Sequence, residues 1–272
     1  MSDGSNKDPQ RALVFATGDI IVDTSDVDID SVTFGKVSSC RNSGAVYGDV
    51  NTGGITGSMT IEYTLDPEDD VTGHLSNIYR KQYEYRSIIQ KCVNTGDVAG
   101  KRSYVGGIVG YGEQSVLYDC ETEANGYVLG SEYVGGIIGA LNQSDTQTAL
   151  LSENGTRTTV NASYVIGNSY VGGIIGENKG GSTIKNCVNT GVAAGYNVFI
   201  GGICGANENN AAIINCASYV SDTNNAIYRR VTDWGAVGSY AGGLTGYNSG
   251  TITFSDKDNA VSNRSVAGIV VG

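Results

Sequence analysis

The sequence predicts an all-β chain that folds as a parallel β-solenoid, a right-handed β-helix of roughly seven to eight coils with irregular insertions. One motif, an aromatic residue followed by Val, Ile or Ala, then Gly, Gly and an aliphatic residue, recurs along the chain. A second motif with a Cys precedes it at a near-constant distance. Glycine is abundant, with 40 of 272 residues, whereas only 2 residues are Pro, and this composition suits many short strands joined by turns.

The Gly-Gly motif occurs in five strong copies, from Tyr104, Tyr133, Tyr170, Phe199 and Tyr240. The copies from Tyr133 and Tyr170 both read Y-V-G-G-I-I-G. We interpret these aromatic residues first as a structural stack. The aliphatic residue after each glycine pair keeps its size, which predicts an inward ladder. Its strong members are Ile108, Ile137, Ile174, Ile203 and Leu244. The residue after each of these varies, so we expect it to be less constrained, and the glycine pairs fit positive φ angles or tight bends.

The Cys motif reads C-V-N-T-G-D-V-A-G from Cys92 and C-V-N-T-G-V-A-A-G from Cys187. Cys120, Cys216 and Cys40 stand at corresponding places, and Thr159 and Ser255 fill the column in other copies. Side chains stacked one per coil run parallel, so we predict a reduced, buried ladder of Cys92, Cys120, Cys187 and Cys216. Disulfides between adjacent coils are the alternative, since the Cα spacing falls within disulfide range. No C-x-x-C spacing occurs, and we expect no zinc site.

The repeat divides the chain into three parts. Residues 1–11 are expected to form a flexible tether, residues 12–34 an N-terminal cap or degenerate first coil, and residues 35–272 the solenoid, continuing or capped beyond 272. The long interval between Gly53 and Gly106 fits a further degenerate coil. An insertion of about a dozen residues follows Cys216.

Charge and residue types limit the classes of function. The formal net charge of −11 disfavours nucleic acid and a polybasic membrane-surface role. His74 is the only histidine, and no nucleophile motif surrounds it, so we expect no enzyme and no cofactor. Asp26, Asp28 and Asp30 alternate and would share one face of a strand, where they make a weak Ca²⁺ candidate. A solvated edge that caps the solenoid is the favoured interpretation of these three residues.

A known repeat resembles these motifs. Gly172–Gly191 reads G-G-I-I-G-E-N-K-G-G-S-T-I-K-N-C-V-N-T-G, and Gly201–Cys216 follows the same pattern with Asn207 in the Asn position. Both segments are similar to the GLUG repeat of bacterial surface proteins, and the resemblance extends over roughly residues 35–272. It implies a β-helical, secreted or surface-anchored protein, often an adhesin, with no catalytic residue inside the repeat. The repeat also occurs as an accessory region of IgA-cleaving metallopeptidases.

These observations predict an extracellular structural or adhesive module that presents insertion loops to a glycan or protein of a host or neighbouring cell. Tyr228, Arg229, Arg230 and Trp234 lie in the insertion after Cys216 and are the binding candidates, since Trp, Tyr and Arg dominate binding hot spots. A hydrophobic flap on the solenoid flank is the alternative for this segment. A carbohydrate-active β-helix enzyme and an accessory domain of a secreted peptidase are the alternative functions.

The polar N-terminal segment resembles the tether that follows the lipidated Cys of many Gram-negative surface lipoproteins, and an ordinary terminus is the alternative. We therefore expect any membrane contact to be made through an N-terminal lipid anchor.

Overall fold

The computed structural model describes residues 36–60, 87–113, 115–124, 126–142, 159–218 and 240–253, together with the backbone of four further strands. These strands are Leu13–Ala16, Arg80–Tyr83, Leu150–Ser152 and Tyr228–Arg229. The predicted tether, most of the predicted cap, and the chain beyond residue 253 lie outside the described residues. Every regular element in the described part is a β-strand, and no helix there is long and apolar enough to cross a membrane.

One turn of the solenoid contains five short strands. Coil 1 consists of Lys36–Ser38, Arg41–Asn42, Val46–Gly48, Thr52–Gly53 and Thr56–Met59. These five strands belong, in this order, to five separate parallel sheets, which we number sheets 1 to 5. Such short strands suit a chain in which glycines and polar turns interrupt the apolar runs every few residues.

Five further complete coils repeat this order within the described residues. Coil 2 contains Ile88–Gln90, Val93–Asn94, Val98–Gly100, Ser103–Gly106 and Val109–Glu113. Coil 3 contains Val116–Tyr118, Glu121–Thr122, Tyr127–Leu129, Glu132–Gly135 and Ile138–Asn142. Coil 4 contains Leu150–Ser152, Thr159–Asn161, Tyr164–Gly167, Ser169–Gly172 and Ile175–Lys179. Coil 5 contains Thr183–Lys185, Cys187–Asn189, Ala193–Gly195, Ile200–Gly201 and Cys204–Asn207. Coil 6 contains Ala212–Ile214, Ala217–Ser218, Tyr228–Arg229, Ala241–Gly242 and Thr245–Asn248, and Thr251–Thr253 begins a seventh coil in sheet 1.

The coils stack in register, so that equivalent residues of the motif pair with each other. Gly106 of coil 2 pairs with Gly135 of coil 3, and Gly135 pairs with Gly172 of coil 4. All five sheets are parallel, and each receives one strand from every coil. The predicted parallel β-solenoid is confirmed.

The prediction of a degenerate coil between Gly53 and Gly106 is wrong, because these two glycines pair directly in sheet 4. No other strand lies between coils 1 and 2 in any of the five sheets. The intervening chain contains Arg80–Tyr83, which pairs antiparallel with Leu13–Ala16. This connection therefore contributes to a separate two-stranded sheet and not to the solenoid stack.

Two large apolar clusters fill the solenoid, and a small third cluster of Ile88, Val116 and Tyr118 lies along sheet 1. The first is formed by inward residues of sheets 1, 2 and 5 and contains Ile89, Cys92, Ile108, Val109 and Leu117 with their equivalents in the other coils. The second lies between sheets 3 and 4, where Val98 and Val105 of coil 2 contact their counterparts. The sequence pattern explains the division, since the single inward residue of each short strand is Val, Ile or Ala in sheets 3 and 4.

The residue after the aliphatic ladder is more constrained than expected. Val109, Ile138, Ile175, Cys204 and Thr245 are all completely buried, although their sizes and polarities differ. The prediction that this position would be less constrained is therefore wrong. The chain bends after each glycine pair, so two consecutive side chains reach the same interior.

Side chains of Asn form a polar ladder along sheet 2. Nδ2 of Asn42 donates to Oδ1 of Asn94 at 2.9 Å, and Nδ2 of Asn161 donates to Oδ1 of Asn189 at 2.8 Å. Each amide also closes its own turn: Nδ2 of Asn94 donates to the Gly96 carbonyl at 2.9 Å. The Asn of the N-T-G sequence thus satisfies buried polar groups both within a coil and between coils.

A second polar ladder lies in sheet 5, where Nδ2 of Asn178 donates to Asn207 and Nδ2 of Asn207 donates to Asn248, both at 2.8 Å. Asn178 and Asn207 are completely buried. The same column holds Met59 and Leu141 in coils 1 and 3. The side chains in this column therefore change from apolar in coils 1 and 3 to amide from coil 4 onward.

Candidate functional site

The most regular partly exposed feature of the described residues is a file of aromatic rings along sheet 4. It consists of Tyr104, Tyr133, Tyr170, Phe199 and Tyr240, one ring per coil. Neighbouring ring centroids are 5.0, 4.6, 5.0 and 5.4 Å apart. We call this set the aromatic file. Its spacing follows from the distance between stacked parallel strands, which is about 4.8 Å.

The backbone places these rings outside the core by an unusual conformation. Tyr104, Tyr133, Tyr170 and Phe199 have φ angles of 63°, 55°, 54° and 60°. Positive φ is uncommon for residues other than glycine, and it marks a sharp turn of the chain direction within each strand of sheet 4. The next residue, such as Val105, then points inward and is completely buried.

Positive φ angles do not explain why the motif contains glycine pairs. The positive-φ glycines among the described residues are Gly180 and Gly181, which do not belong to the pairs. A Cβ atom at Gly135 would overlap the carbonyl oxygen of Ile138 and lie 2.8 Å from the carbonyl oxygen of Ile174 in the next coil. Glycine is therefore required in these pairs because the backbone there closely approaches both the bend of its own coil and the neighbouring coil. This outcome agrees with the expectation of tight bends and not with that of positive φ angles.

A column of sheet 5 lies beside the aromatic file and contains Ser58, Tyr111, Ala140, Glu177, Ala206 and Tyr247. The ring of Tyr111 lies 5.1 Å from that of Tyr104, and the ring of Tyr247 lies 5.2 Å from that of Phe199. Ala140 and Ala206 are completely buried in this column. We infer that the small side chains leave space for the rings, which cover the outer face of sheet 5.

One ion pair lies in the middle of this surface. Nζ of Lys179 is 2.7 Å from Oε2 of Glu177, and only 6% of the Glu177 side chain is exposed. Burial raises the pKa of Tyr133, and the nearby Glu177 carboxylate raises it further. Burial and then Glu208 and Glu177 raise the pKa of Tyr170 in the same way. These phenols therefore stay protonated and can donate hydrogen bonds to a ligand.

Ring orientation limits what this surface can bind. Tyr104 and Tyr133 are stacked with an interplanar angle of 15°, and Tyr133 and Tyr170 with 28°. Neighbouring rings thus cover much of each other's faces, so a ligand meets mainly ring edges and hydroxyl groups. The arrangement offers hydrogen-bond donors and acceptors at one-coil intervals, next to acidic side chains.

The sequence-predicted ladders lie inside the rod. Ile108, Ile137, Ile174, Ile203 and Leu244 are completely buried in one cluster, as are Cys92, Cys120, Cys187 and Cys216. All six cysteines are thiols, and Cys40 is exposed. Thr159 pairs with Cys187 in the Cys column, whereas Cys204 occupies a different buried column, in sheet 5.

The predicted binding segment after Cys216 is divided by the fold. Tyr228–Arg229 is a regular strand of sheet 3 and pairs with Ala194 and Gly195, so these two residues are not part of a free insertion. Arg230 and Trp234 lie outside the described residues, as do Asp26, Asp28 and Asp30 of the weak Ca²⁺ candidate. In the described ranges, no group of three His, Cys, Asp or Glu residues could hold a metal ion.

Sequence reasoning did not find the Glu177–Lys179 pair. The column of sheet 5 that contains Glu177 holds Ala, Ser or Tyr in other coils, so the position shows no repeat signal. The Asn ladders did carry a signal, since Asn recurs in the N-T-G sequences from Asn94 and Asn189, but their contacts require the three-dimensional register.

Comparison with protein families found one match. Residues 167–194, which run from the end of sheet 3 in coil 4 to sheet 3 in coil 5, match the family described as the GLUG motif. The matched segment is therefore one turn of the solenoid. Comparison with curated proteins and with solved structures found no match.

Proposed function

We propose that this GLUG-repeat chain is an extracellular structural or adhesive module of a bacterial surface protein, which presents its loops to a glycan or protein of a host or neighbouring cell. One observation carries the proposal: the recurring aliphatic and Cys-column residues of the motif are completely buried in coils 2 to 5. The aliphatic and Cys ladders fill the first cluster, and Asn side chains close the turns. Exposed positions that vary between coils are then available for ligand contact.

Connections between strands support the loop part of the proposal. The connections from Met59 to Ile88 and from Ser218 to Tyr228 are long, and the strands on both sides of each connection remain in register. A rigid scaffold with variable connections is a common arrangement for binding proteins. In sequence, Arg230 follows directly on the strand Tyr228–Arg229 of sheet 3, and Trp234 lies four residues further along the chain.

A glycan and protein array with the purified chain tests this proposal. We expect binding by the wild-type chain, and a loss of at least about tenfold in affinity for Trp234→Ala, as for an interface hot spot. Tyr127→Ala is the matched control, because Tyr127 is an aromatic residue of sheet 3 that is 45% exposed in the regular part of the rod. Equal losses in both variants, or no loss in either, would contradict the loop assignment.

A carbohydrate-active enzyme is a second candidate, favoured by the carboxyl groups near the aromatic file. Burial and the Glu177 carboxylate raise the pKa of Glu208. Two interacting carboxyl groups with different pKa values are typical of glycoside hydrolases. Release of reducing sugar from polysaccharides by the wild-type chain but not by Glu208→Gln would support this candidate over simple binding.

A further inference from the structure

Cys40 differs from the rest of the Cys column in its access to solvent. Cys40 is exposed, whereas Cys92, Cys120, Cys187 and Cys216 are completely buried. Thiol chemistry with a soluble reagent requires at least one accessible sulfur, since the attacking thiolate must reach its target. Cys40–Cys92 is therefore the place where a reagent from solution can enter the column.

Register brings the two residues together. Arg41 pairs with Val93 in sheet 2, and the amide of Val93 donates to the Cys40 carbonyl at 2.9 Å, so Cys40 and Cys92 occupy equivalent places in adjacent coils. Parallel strands are about 4.8 Å apart, which is within the Cα separations of 4.4–6.8 Å found for disulfides.

The Cys92 thiol also leans toward coil 1. Sγ of Cys92 lies 3.9 Å from the carbonyl oxygen of Val37 in coil 1. Burial raises the pKa of the Cys92 thiol, the hydrogen bond with the Cys40 backbone lowers it, and the neighbouring Cys40 thiol raises it. The same lean occurs deeper in the rod, where Sγ of Cys216 lies 3.5 Å from the amide nitrogen of Cys187 in the preceding coil. The sulfurs of Cys92 and Cys216 thus each have a contact with the preceding coil, in addition to those with carbonyl groups of their own coils.

We propose that Cys40 and Cys92 form a redox-modification site that reacts with small disulfides and closes into a disulfide between coils 1 and 2. The Cys40 thiolate attacks one sulfur of a disulfide such as oxidised glutathione, whose S–S bond breaks and releases one glutathione. The Cys92 thiolate then attacks the Cys40 sulfur and displaces the second glutathione. The two cysteine protons end on the two glutathione thiols, so the cysteines are oxidised and the small disulfide is reduced.

The other column members are poor substrates for the same reaction. Burial raises the pKa of Cys120 to about 12, which leaves almost no thiolate at neutral pH. Thr159 separates Cys120 from Cys187 in the column. Cys187 and Cys216 share the register of the proposed pair but are both completely buried, so they provide an internal comparison.

The test uses the full chain and does not depend on the proposed function. The chain is incubated with oxidised glutathione, denatured, alkylated with iodoacetamide and weighed by mass spectrometry. We expect two fewer alkylated cysteines than in the reduced chain, and a peptide map with Cys40 joined to Cys92. In Cys40→Ser, every remaining cysteine should be alkylated. In the control Cys187→Ser, two alkylation sites should still be lost.

Three results would overturn the proposal. The first is alkylation of all six cysteines after incubation. The second is a stable glutathione adduct on Cys40 with Cys92 still alkylated, which would show that the second step is geometrically blocked. The third is a linkage between Cys40 residues of two chains. Circular dichroism of both variants before oxidation checks that the fold is retained, as expected for the exposed Cys40.

Discussion

Coil 1 and coil 2 have the same five-strand pattern but very different burial. Ile55 of coil 1 is partly buried, whereas its counterpart Ile108 is completely buried. Cys40 is exposed and Cys92 is not. Coil 2 has described coils on both sides, and the difference shows that a coil acquires most of its burial from its neighbours. The same sequence motif therefore contributes less to the free energy of unfolding in coil 1 than in the middle of the rod.

The difference between the two coils predicts that substitutions at crowded and at open positions have unequal effects along the chain. The largest effect is expected for Gly135→Ala in coil 3, because the new Cβ atom would clash with backbone atoms of two coils. We expect a loss of at least about 3 kcal/mol in the free energy of unfolding, measured by urea denaturation.

Gly44→Ala in coil 1 is the control for Gly135→Ala. Its Cβ atom would lie 3.6 Å from Oδ1 of Asn42, which is an ordinary contact. We expect little change in its urea midpoint. If Gly135→Ala were as stable as the wild-type chain, the backbones of adjacent coils would be able to move apart without a loss of free energy.

Truncation of the aliphatic ladder should give the next largest effect. Ile137→Ala removes a completely buried side chain between coils 2 and 4 and should cost about 2–5 kcal/mol. Ile55→Ala should cost clearly less, because Ile55 is only partly buried. Equal costs in urea denaturation would mean that coil 1 is covered as completely as coil 3.

A smaller effect is expected in the Asn ladder of sheet 2. Asn161→Ala leaves Asn189 without the donor that lies 2.8 Å from its Oδ1, and Thr122 without its acceptor. Loss of buried partners costs about 1–3 kcal/mol. Asn42→Ala in coil 1 should cost less, because water can replace its single ladder bond, and thermal unfolding of the two variants would compare them.

The smallest effect is expected for the ion pair that joins the exposed surfaces of coils 1 and 2. Arg102 donates to Asp49, and this hydrogen bond lowers the pKa of the Asp49 carboxyl. A lowered pKa stabilises the fold above the ordinary pKa of Asp, and that contribution disappears as the pH falls through the lowered value. Both side chains are at least half exposed, so Asp49→Asn should barely alter the unfolding midpoint at pH 7.

A titration from pH 7 to pH 2 checks this sign. The wild-type chain should lose its small advantage over Asp49→Asn at the acid end. If the stabilities of the wild-type chain and Asp49→Asn differed more at low pH than at neutral pH, the lowered pKa assigned to Asp49 would be wrong.

Much of the fold was predictable because a repeat places equivalent residues in equivalent environments. The interval from Cys to glycine pair and the constant Ile residues were sufficient to predict the stack and the inward ladder. The extra coil between Gly53 and Gly106 was predicted wrongly, since sequence distance does not show whether a connection leaves the stack. The burial of Val109 and its equivalents was also missed, because a bend breaks the inward and outward alternation of a strand.

The surface was less predictable than the interior. Tyr133 and its equivalents were recognised as a stack, but the Glu177–Lys179 pair depends on a column in which each coil has a different residue. Tyr228 and Arg229 illustrate the opposite problem, since they were placed in an insertion by spacing and belong to a regular strand. Repeat signals identify what all coils share and give no information on the positions at which the coils differ.

The corner between sheet 5 and sheet 1 accepts connections of very different length. Two residues connect Asn248 to Thr251, and 28 residues connect Met59 to Ile88, yet the strands on both sides stay in register. Evolution or a protein engineer can therefore lengthen, shorten or exchange the loop of one turn at this corner without altering the others. The corners themselves follow one another along the stack at intervals of one turn, so binding segments introduced at several of them could act together with high avidity.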